Sequence, residues 1–567
     1  MHGLDSSEAC GRLAELVDFL SDPLIHSLFR IHPNELGNSS FDPPLEWANW
    51  WDWAGEETRD RENPSVLDPW LLLLQYYDSC RSNDAAEVSP DKASALPQVL
   101  QSLVQDACRL AVPRDVGRAI FPSENPWRYD LEGPIKGNSL SVAPPDVLPG
   151  MSPKKAHEVM QMSDFIGNML KSDPPLSSTK YAVDIGAGQG YLSRMLRDRF
   201  RLHILALDFS DVQAQGAAKR EATRRKSKRP LKGPPRGGPD VHLTDHATAL
   251  RAQCGDDISE DGHGSLTYVT AKINADTLCQ STRDWVESRR AAIASCPPDG
   301  SSEQDSMPVI FVALHACGSL TPDIFRAFTV ARKANSSGTS WTPRAAVIVG
   351  CCYNMLRPED FPLSHKLRSS RPNFKLTPSH LQLAAQVPSQ WTRSEQTLRD
   401  ARLALRKIVW RALIQDVLDA ESITSASREG DERSHADQED TGVPEDRTLC
   451  EDRRPKRLGR LNDAAYADWK TFAGRVREKL DLKGEQLSRA DQKLERRIEV
   501  FHVLRCIVGP VIESLILLDR AVWLQEELQD NSLSVELVNL FDQASGSGRN
   551  VAIVIRPRAV ETARSHQ

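Results

Sequence analysis

Gly186, Gly188 and Gly190 stand at alternate positions, with Asp184 before them and Asp208 some way after. Glycine has no side chain, so a backbone rich in glycine turns tightly and can approach a ligand closely. A carboxylate at the end of the following strand can accept hydrogen bonds from the hydroxyl groups of a ribose. These five residues are therefore a candidate nucleotide site, in which the glycine turn holds the ligand and Asp208 binds its sugar.

The elements around these residues support this interpretation. Tyr181–Ile185 is an apolar run of strand length, Tyr191–Phe200 has apolar residues at helical spacing, and His203–Leu207 is a second apolar run. Strand, glycine turn, helix and strand make half of a nucleotide-binding α/β unit. A dinucleotide fingerprint, G-x-G-x-x-G, would need glycine at position 191, which is Tyr191. The pattern G-x-G-x-G therefore disfavours a nicotinamide-dependent oxidoreductase.

Two more apolar runs predict the fourth and fifth strands of the same sheet. Val309–Leu314 is followed by His315 and Cys317, and Ala345–Val349 is followed by the sequence GCCY at 350–353. Neighbouring parallel strands end at the same edge of a sheet. We therefore expect the side chains that follow these two strands to lie together, facing the bound nucleotide.

The histidine and the cysteines at this edge have three interpretations. His315 could remove a proton or orient a nucleophile near neutral pH, with Tyr353 and Cys352 shaping the acceptor pocket. One histidine with three cysteines could also bind zinc. The third interpretation is a capped strand end with inert, buried thiols. Because successive strand residues point to opposite faces, Cys351 and Cys352 should diverge, and no metal is assigned.

The remaining strands are predicted from shorter patterns. Leu266–Ile273 should be the third strand, and Asp276 just past it would meet the adenine of the nucleotide. Ser534–Phe541 and Val551–Ile555 flank a polar turn and predict a closing β-hairpin. That hairpin would complete the sheet that begins at residue 181, with its last strand antiparallel.

Basic residues near the site suggest a nucleic-acid partner. Lys154 and Lys155 open a predicted helix just before the first strand and would meet phosphates. His157 or Glu158 on the same helix would reach a substrate proton. The segment 219–238 contains nine Lys or Arg against one Glu, a basic loop that could bind RNA. A solvated helix start and a solvated loop are the alternatives.

Composition bounds the class of protein. The chain has 567 residues, a net charge of −7 and eleven cysteines without framework spacing, which predicts reduced thiols in an intracellular protein. No secretory signal is evident at the N-terminus. The apolar segment 504–518 is too short and too charged to span a bilayer. We expect a soluble cytoplasmic or nuclear protein that does not bind membranes.

Four regions are predicted along the chain. Residues 1–145 are mainly helical, and the Trp-rich segment 47–53 would either stack bases or pack between helices, with packing favoured. Residues 150–420 would form the core with the first five strands and the helices that follow. Residues 421–457 have the composition of a disordered acidic linker. Residues 458–567 supply helices and the closing hairpin.

Several blocks together resemble a known family. They are MSPKKAHEV, VDIGAGQGYLSR, LHACGSLT, VGCCYNML followed by FPLS, and PVIESLILLDRAVWLQE. In content and order, across residues 150–567, they are similar to the methyltransferase-like protein 25 family, whose older name refers to ribosomal RNA adenine dimethylase domains. The HACG and GCCY pair also resembles the transfer RNA 2′-O-methyltransferases related to methyltransferase 13. The resemblance to the first family implies a class I fold and bound S-adenosylmethionine but does not name the methyl acceptor. The similarity to the transfer RNA group suggests that the acceptor is RNA.

One departure from related enzymes narrows the chemistry. Amino-methylating enzymes usually carry N/D-P-P-Y/F after the fourth strand, whereas this chain reads HACG at 315–318. N6-adenine methylation is therefore not supported. The leading hypothesis is methyl transfer to an oxygen or nitrogen atom of RNA, in preference to protein. The alternative is a non-catalytic S-adenosylmethionine-binding scaffold or a protein-interaction module.

Overall fold

A computed structural model describes the chain in segments that together contain two compact units. The described residues are 6–56, 58–59, 66–81, 95–114, 151–210, 264–294, 306–334, 339–370, 374–418, 458–482, 487, 491–529 and 532–558. The first unit comprises residues 1–17, 112–385 and 512–567 and is called the sheet unit; the second comprises 18–111 and 386–511 and is called the helical unit. The predicted basic loop 219–238 and the acidic linker 421–457 lie outside the described residues.

Seven strands form the sheet of the sheet unit. They are β1 Tyr181–Ile185, β2 His203–Asp208, β3 Leu266–Thr270, β4 Met307–Cys317, β5 Trp341–Cys351, β6 Leu533–Asn539 and β7 Val551–Pro557. Their order is β3-β2-β1-β4-β5-β7-β6. The first five are parallel, and β7 runs antiparallel to both β5 and β6. The predicted class I methyltransferase sheet, closed by an antiparallel hairpin, is confirmed.

Helices connect and cover these strands. In chain order the α-helices are α1 Ser6–Ser21, α2 Pro23–Arg30, α3 Ala48–Gly55, α4 Pro69–Arg81, α5 Gln98–Leu110, α6 Pro153–Ser172, α7 Tyr191–Phe200, α8 Ala275–Ala294, α9 Leu320–Ala334, α10 His365–Ser370, α11 Pro378–Leu383, α12 Glu395–Leu413, α13 Trp469–Leu480 and α14 Gln492–Leu528. Short 3-10 turns fill several of the connections.

The sheet is buried on both faces, which explains its nearly continuous apolar strands. Alternate strand residues belong to two separate apolar clusters. On one face, residues such as Ala182 and Ile310 pack with α6 and α7. On the other face, residues such as Val183 and Val309 pack with α8, α9 and the last turns of α14. This sandwich fixes the ends of β1, β2, β4 and β5 relative to one another.

The Trp-rich segment belongs to the core of the helical unit. Trp47 and Trp50 are fully buried, and Trp51 is nearly so. The ring of Trp47 lies 5.2 Å from that of Trp50 and 5.1 Å from that of Phe501, centroid to centroid. These indoles therefore pack helices together, as the sequence favours, and do not form an exposed surface for bases.

Within the described residues, one helix is long and apolar enough to cross a membrane, by length and composition alone. This helix is α14, but 94% of its most apolar window is buried inside the protein. A buried, apolar helix of this kind is a core element of the fold.

The third strand is shorter than the sequence predicts. It ends at Thr270, whereas the prediction extended it to Ile273. The chain leaves the sheet after the amide of Ala271, which still donates to the carbonyl of Asp208 at 2.9 Å. Asp276 consequently lies in the first turn of α8, where it is exposed.

Candidate functional site

The glycine turn joins β1 to α7 and is built by three residues with positive φ. Gly186, Gly188 and Gly190 have φ of 72°, 55° and 66°, a left-handed conformation that side chains disfavour. The amides of Gly186 and Ala187 both donate to the carbonyl of Leu207, at 2.9 and 3.0 Å. The turn is therefore fastened to the end of β2.

Asp208 ends β2 and faces the glycine turn. One carboxylate oxygen accepts the amide of Gly188 at 2.8 Å, and the other accepts the amide of Ser210 at 2.9 Å. The residue is only 7% exposed. A carboxylate oxygen has two acceptor positions, so each oxygen of Asp208 can accept one more hydrogen bond.

Asp184 lies in β1, just before the turn, and its carboxylate contacts another side chain of the protein. Its carboxylate is buried and accepts the hydroxyl of Ser193, in the first turn of α7. Burial raises the pKa of Asp184 to about 6, although Ser193 and the charge of Lys155 oppose that shift. The geometry makes Asp184 the anchor between the turn and α7.

The space around the glycines differs from one position to the next. A Cβ added to Gly190 would lie 1.6 Å from the hydroxyl of Tyr268 on β3, so packing requires glycine there. A Cβ added to Gly188 would meet no atom within 4 Å. The turn is thus packed against the protein at Gly190 and open at Gly188, where a ligand can approach the backbone.

His315 lies near the end of β4 and pairs with Glu158 of α6. The Nε2 atom of His315 is 2.9 Å from a carboxylate oxygen of Glu158, and the histidine is 31% exposed whereas the glutamate is buried. Burial raises the pKa of Glu158. The hydrogen bond and charge of His315, together with the charges of Lys155 and Lys154, lower it by more, so the pKa lies below its usual value. The ionised carboxylate therefore holds the proton of the ring on Nε2 and leaves Nδ1 as the basic atom.

Three thiols meet beside this pair. The Sγ atom of Cys317 is 3.3 Å from that of Cys351 and 3.5 Å from that of Cys352. The expectation that Cys351 and Cys352 would diverge is wrong. Cys352 lies one residue past the end of β5 and has a left-handed φ of 49°, so the alternation of a strand does not apply to it.

The electrostatic environment differs among these thiols. The hydrogen bond with Cys351 lowers the pKa of Cys317 to about 6; burial opposes this shift, and Cys352 and the charge of His315 reinforce it. The same interaction, together with burial, raises the pKa of Cys351 far above its usual value.

Tyr353 is placed differently from the other predicted catalytic residues. It is buried, and its hydroxyl donates to Glu513 of α14 at 3.0 Å. Glu513 also accepts a hydrogen bond from Arg114. The guanidinium of Arg520 lies over the Tyr353 ring, 5.7 Å from its centroid. The hydroxyl of Tyr353 is thus directed into a buried polar network and not towards His315.

The other residues that the sequence predicts to contact substrate or cofactor lie near the starts of helices. Lys154 is exposed and Lys155 is half-buried, both in the first turn of α6. Burial lowers the pKa of Lys155, while the charges of Glu158 and Asp184 oppose that shift. His157 packs against the ring of Phe541. Asp276 is exposed in the first turn of α8.

Sequence reasoning missed two residues that shape the site. Ser193 anchors Asp184, and Tyr268 closes the space at Gly190. The position of Ser193 early in α7 was a usable signal, because a hydroxyl at a helix start often bonds a nearby polar group. Tyr268 lies on a different strand, and no local pattern connects it to the turn.

Comparisons with known proteins agree with this architecture. Residues 154–359, which contain the strands β1 to β5, match a family described as a methyltransferase domain. A mouse protein named "Probable methyltransferase-like protein 25" is 23% identical over 486 residues, covering 69% of this chain and 73% of that protein. A human protein with the same name is 22% identical over 489 residues, covering 69% of this chain and 72% of that protein. No solved structure matches. The chain therefore carries a methyltransferase domain and is similar over most of its length to methyltransferase-like protein 25.

Proposed function

We propose that the protein transfers a methyl group from S-adenosylmethionine to an oxygen or nitrogen atom of RNA. The observation that carries the proposal is the glycine turn fastened to Asp208 at the centre of a class I methyltransferase sheet. When bound, S-adenosylmethionine supplies an electrophilic methyl group on its sulfonium sulfur. The residues of the chain must then hold the two reactants in line and accept the proton that the acceptor loses.

The residues of the turn fit this cofactor. Gly188 leaves open space at the backbone, and the oxygens of Asp208 keep acceptor capacity for two ribose hydroxyls. Asp184 has its carboxylate directed to Ser193, so its role is to fix the turn and the start of α7. Asp276, exposed in the first turn of α8, remains a proposed contact of the adenine.

Proton removal is assigned to His315. Its Nδ1 atom accepts the proton of the acceptor, and Glu158 holds the ring and stabilises the positive charge that forms. Cys352 lies at the same strand edge and borders the acceptor. Tyr353 acts as a positioning residue, because its buried hydrogen bond to Glu513 fixes the backbone that follows β5.

RNA is preferred over protein as the acceptor for two reasons. The HACG and GCCY blocks resemble a transfer RNA methyltransferase group, and these blocks follow β4 and β5. Lys154 is exposed on the helix that supplies Glu158, so a phosphate bound there would lie on the acceptor side. The basic segment 219–238 would add phosphate contacts, as a proposal from sequence alone.

Turnover of methyl-labelled S-adenosylmethionine tests the function. The purified full-length chain is incubated with bulk RNA or with a protein extract from cells that lack it. We expect label in the RNA fraction, sensitive to ribonuclease and absent with the variant His315→Ala; the exposed His365→Ala serves as the control. Label in protein would contradict the RNA acceptor. Binding of the cofactor without turnover on either fraction would favour the scaffold.

A further inference from the structure

The three thiols at the ends of β4 and β5 have the spacing of a metal site. The Sγ atoms of Cys317, Cys351 and Cys352 all lie within 4.8 Å of one another. Zinc binds thiolate sulfur at about 2.3 Å in a tetrahedron, which separates two sulfur atoms by roughly 3.8 Å. The observed separations of 3.3 and 3.5 Å reach that value if each sulfur moves by a few tenths of an ångström.

The backbone holds these thiols in place before any ion binds. Cys317 and Cys351 are paired across β4 and β5, and the amide of Gly318 donates to the carbonyl of Cys351 at 2.9 Å. Gly318 has a φ of 52°, and a Cβ there would lie 2.5 Å from the carbonyl oxygen of Met355. The two turns after the strands are therefore packed against each other. The left-handed conformation of Cys352 then returns its thiol to the same point.

A buried positive charge lies next to the cluster without a hydrogen-bonded acceptor. Arg520 is 1% exposed, and none of its three guanidinium nitrogens has a hydrogen-bond partner in the described part of the chain. One of these nitrogens would be 3.1 Å from a Cβ on Gly350, the residue before Cys351. The charges of Asp519, Asp360 and Cys351 act on Arg520, but a buried guanidinium without hydrogen-bonded acceptors is still costly. One divalent ion with three thiolates carries a net charge of −1, which would add to the negative charge near Arg520.

We propose that Cys317, Cys351 and Cys352 bind one zinc ion through three thiolates and leave its fourth position open. Within the described segments, no other histidine, cysteine or carboxylate joins this group. Three protein ligands with one open position are the pattern of a zinc site that takes water or a substrate atom. The thiols release their protons to solvent as the ion binds. The proposal stands on the cluster alone and does not require that the methyl acceptor be RNA.

Metal content of the full-length protein tests the proposal. Protein purified under reducing conditions is stripped with a chelator, supplied with one equivalent of zinc, desalted and measured by plasma mass spectrometry. We expect about one zinc ion per chain in the wild type and none in the triple variant Cys317→Ser, Cys351→Ser, Cys352→Ser. Cys10→Ser and Cys279→Ser, two cysteines of the sheet unit outside the cluster, should keep the ion. A wild type that retains no zinc, or a triple variant that retains it, would overturn the proposal.

Cobalt substitution of the wild type keeps the test decisive if the triple variant does not fold. Co²⁺ in place of zinc should give thiolate-to-cobalt charge-transfer absorption, about one third weaker in each single Cys→Ser variant, and zinc should abolish it. Absorption that is unchanged by all three single substitutions would contradict the site. Intact mass without reductant identifies the competing outcome: a chain lighter by two hydrogens that binds no metal would assign a disulfide instead.

Discussion

The residues that perform chemistry come from distant parts of the sequence. Glu158 lies on α6 and His315 lies on β4, yet their side chains are 2.9 Å apart. Glycines and Asp208 could be predicted because they are close in sequence and follow a known spacing. The pairing of His315 with Glu158 could not be predicted, since it depends on how α6 packs across the sheet.

The histidine and the glutamate have separable roles, which kinetics can distinguish. His315→Ala removes the proton acceptor, so we expect kcat to fall by about 100-fold. Glu158→Gln keeps a hydrogen bond to the ring but loses the negative charge that stabilises its protonated form, and we expect about a 10-fold fall in kcat. Initial rates at saturating S-adenosylmethionine measure both. If the kcat of His315→Ala equals that of His365→Ala, His315 has no role in catalysis.

At the scale of elements, the turn between β1 and α7 depends on packing against β3. Gly190 has a φ of 66°, and the hydroxyl of Tyr268 occupies the space that a Cβ would need. Conformational strain and overpacking therefore act together at this one position.

Gly190→Ala should destabilise the sheet unit by about 2–4 kcal/mol. Tyr268→Phe removes the atom nearest to the new Cβ, so the double variant should be less destabilised than the sum of the single changes. Urea unfolding measures these free energies. Gly474→Ala is the matched control: its added Cβ meets nothing within 4 Å, and no positive φ is involved. Equal destabilisation by Gly190→Ala and Gly474→Ala would contradict the packing argument.

Strands and their order were largely predictable, whereas the conformation at strand ends was not. The runs that became β1, β2, β4 and β5 are apolar because both faces of the sheet are covered. Cys352 escaped prediction because its left-handed backbone is a tertiary effect; a cysteine has no intrinsic preference for it. The third strand was predicted too long because Ala271 and Ile273 continue its apolar pattern, whereas the residue pairing of β3 with β2 ends at Thr270.

At the scale of the whole molecule, the two units regroup segments that are distant along the chain. Residues 18–111 and 386–511 form the helical unit. The sequence patterns predict that these two segments belong to separate regions. Such regrouping follows from the apolar faces of the helices, and no local signal encodes which faces meet. The Trp-rich segment shows this, because its partner Phe501 is more than four hundred residues away.

The helical unit contains a carboxyl group with an unusual pKa. Burial raises the pKa of Glu499 to about 8, and the nearby carboxylates of Asp68 and Glu495 reinforce that shift, while Arg496 and Arg402 oppose it. Because the folded pKa of Glu499 lies above the ordinary value of 4.5, the stability that its protonated carboxyl group contributes is fully present below pH 4.5. It is lost as the pH rises through 8.

Glu499→Gln should remove this loss of stability. Between pH 5 and pH 7.5 the wild type should lose stability relative to the variant by up to about 1.4 kcal/mol per pH unit. Urea unfolding followed by tryptophan fluorescence at several pH values measures the difference. Glu478→Gln, at an exposed position of α13, should follow the wild type. Parallel stability curves for Glu499→Gln and the wild type would show that this carboxyl group is ionised in the folded state.

The account depends above all on the cofactor pocket between the glycine turn and Asp208. Isothermal titration of the purified chain with S-adenosylmethionine tests it directly. We expect one site in the wild type, affinity at least 10-fold weaker in Asp208→Ala and Gly188→Ala, and unchanged affinity in Asp284→Ala. Circular dichroism confirms that each variant is folded. Equal affinity in the wild type and in Asp208→Ala and Gly188→Ala, or no binding by the wild type, would contradict the central claim.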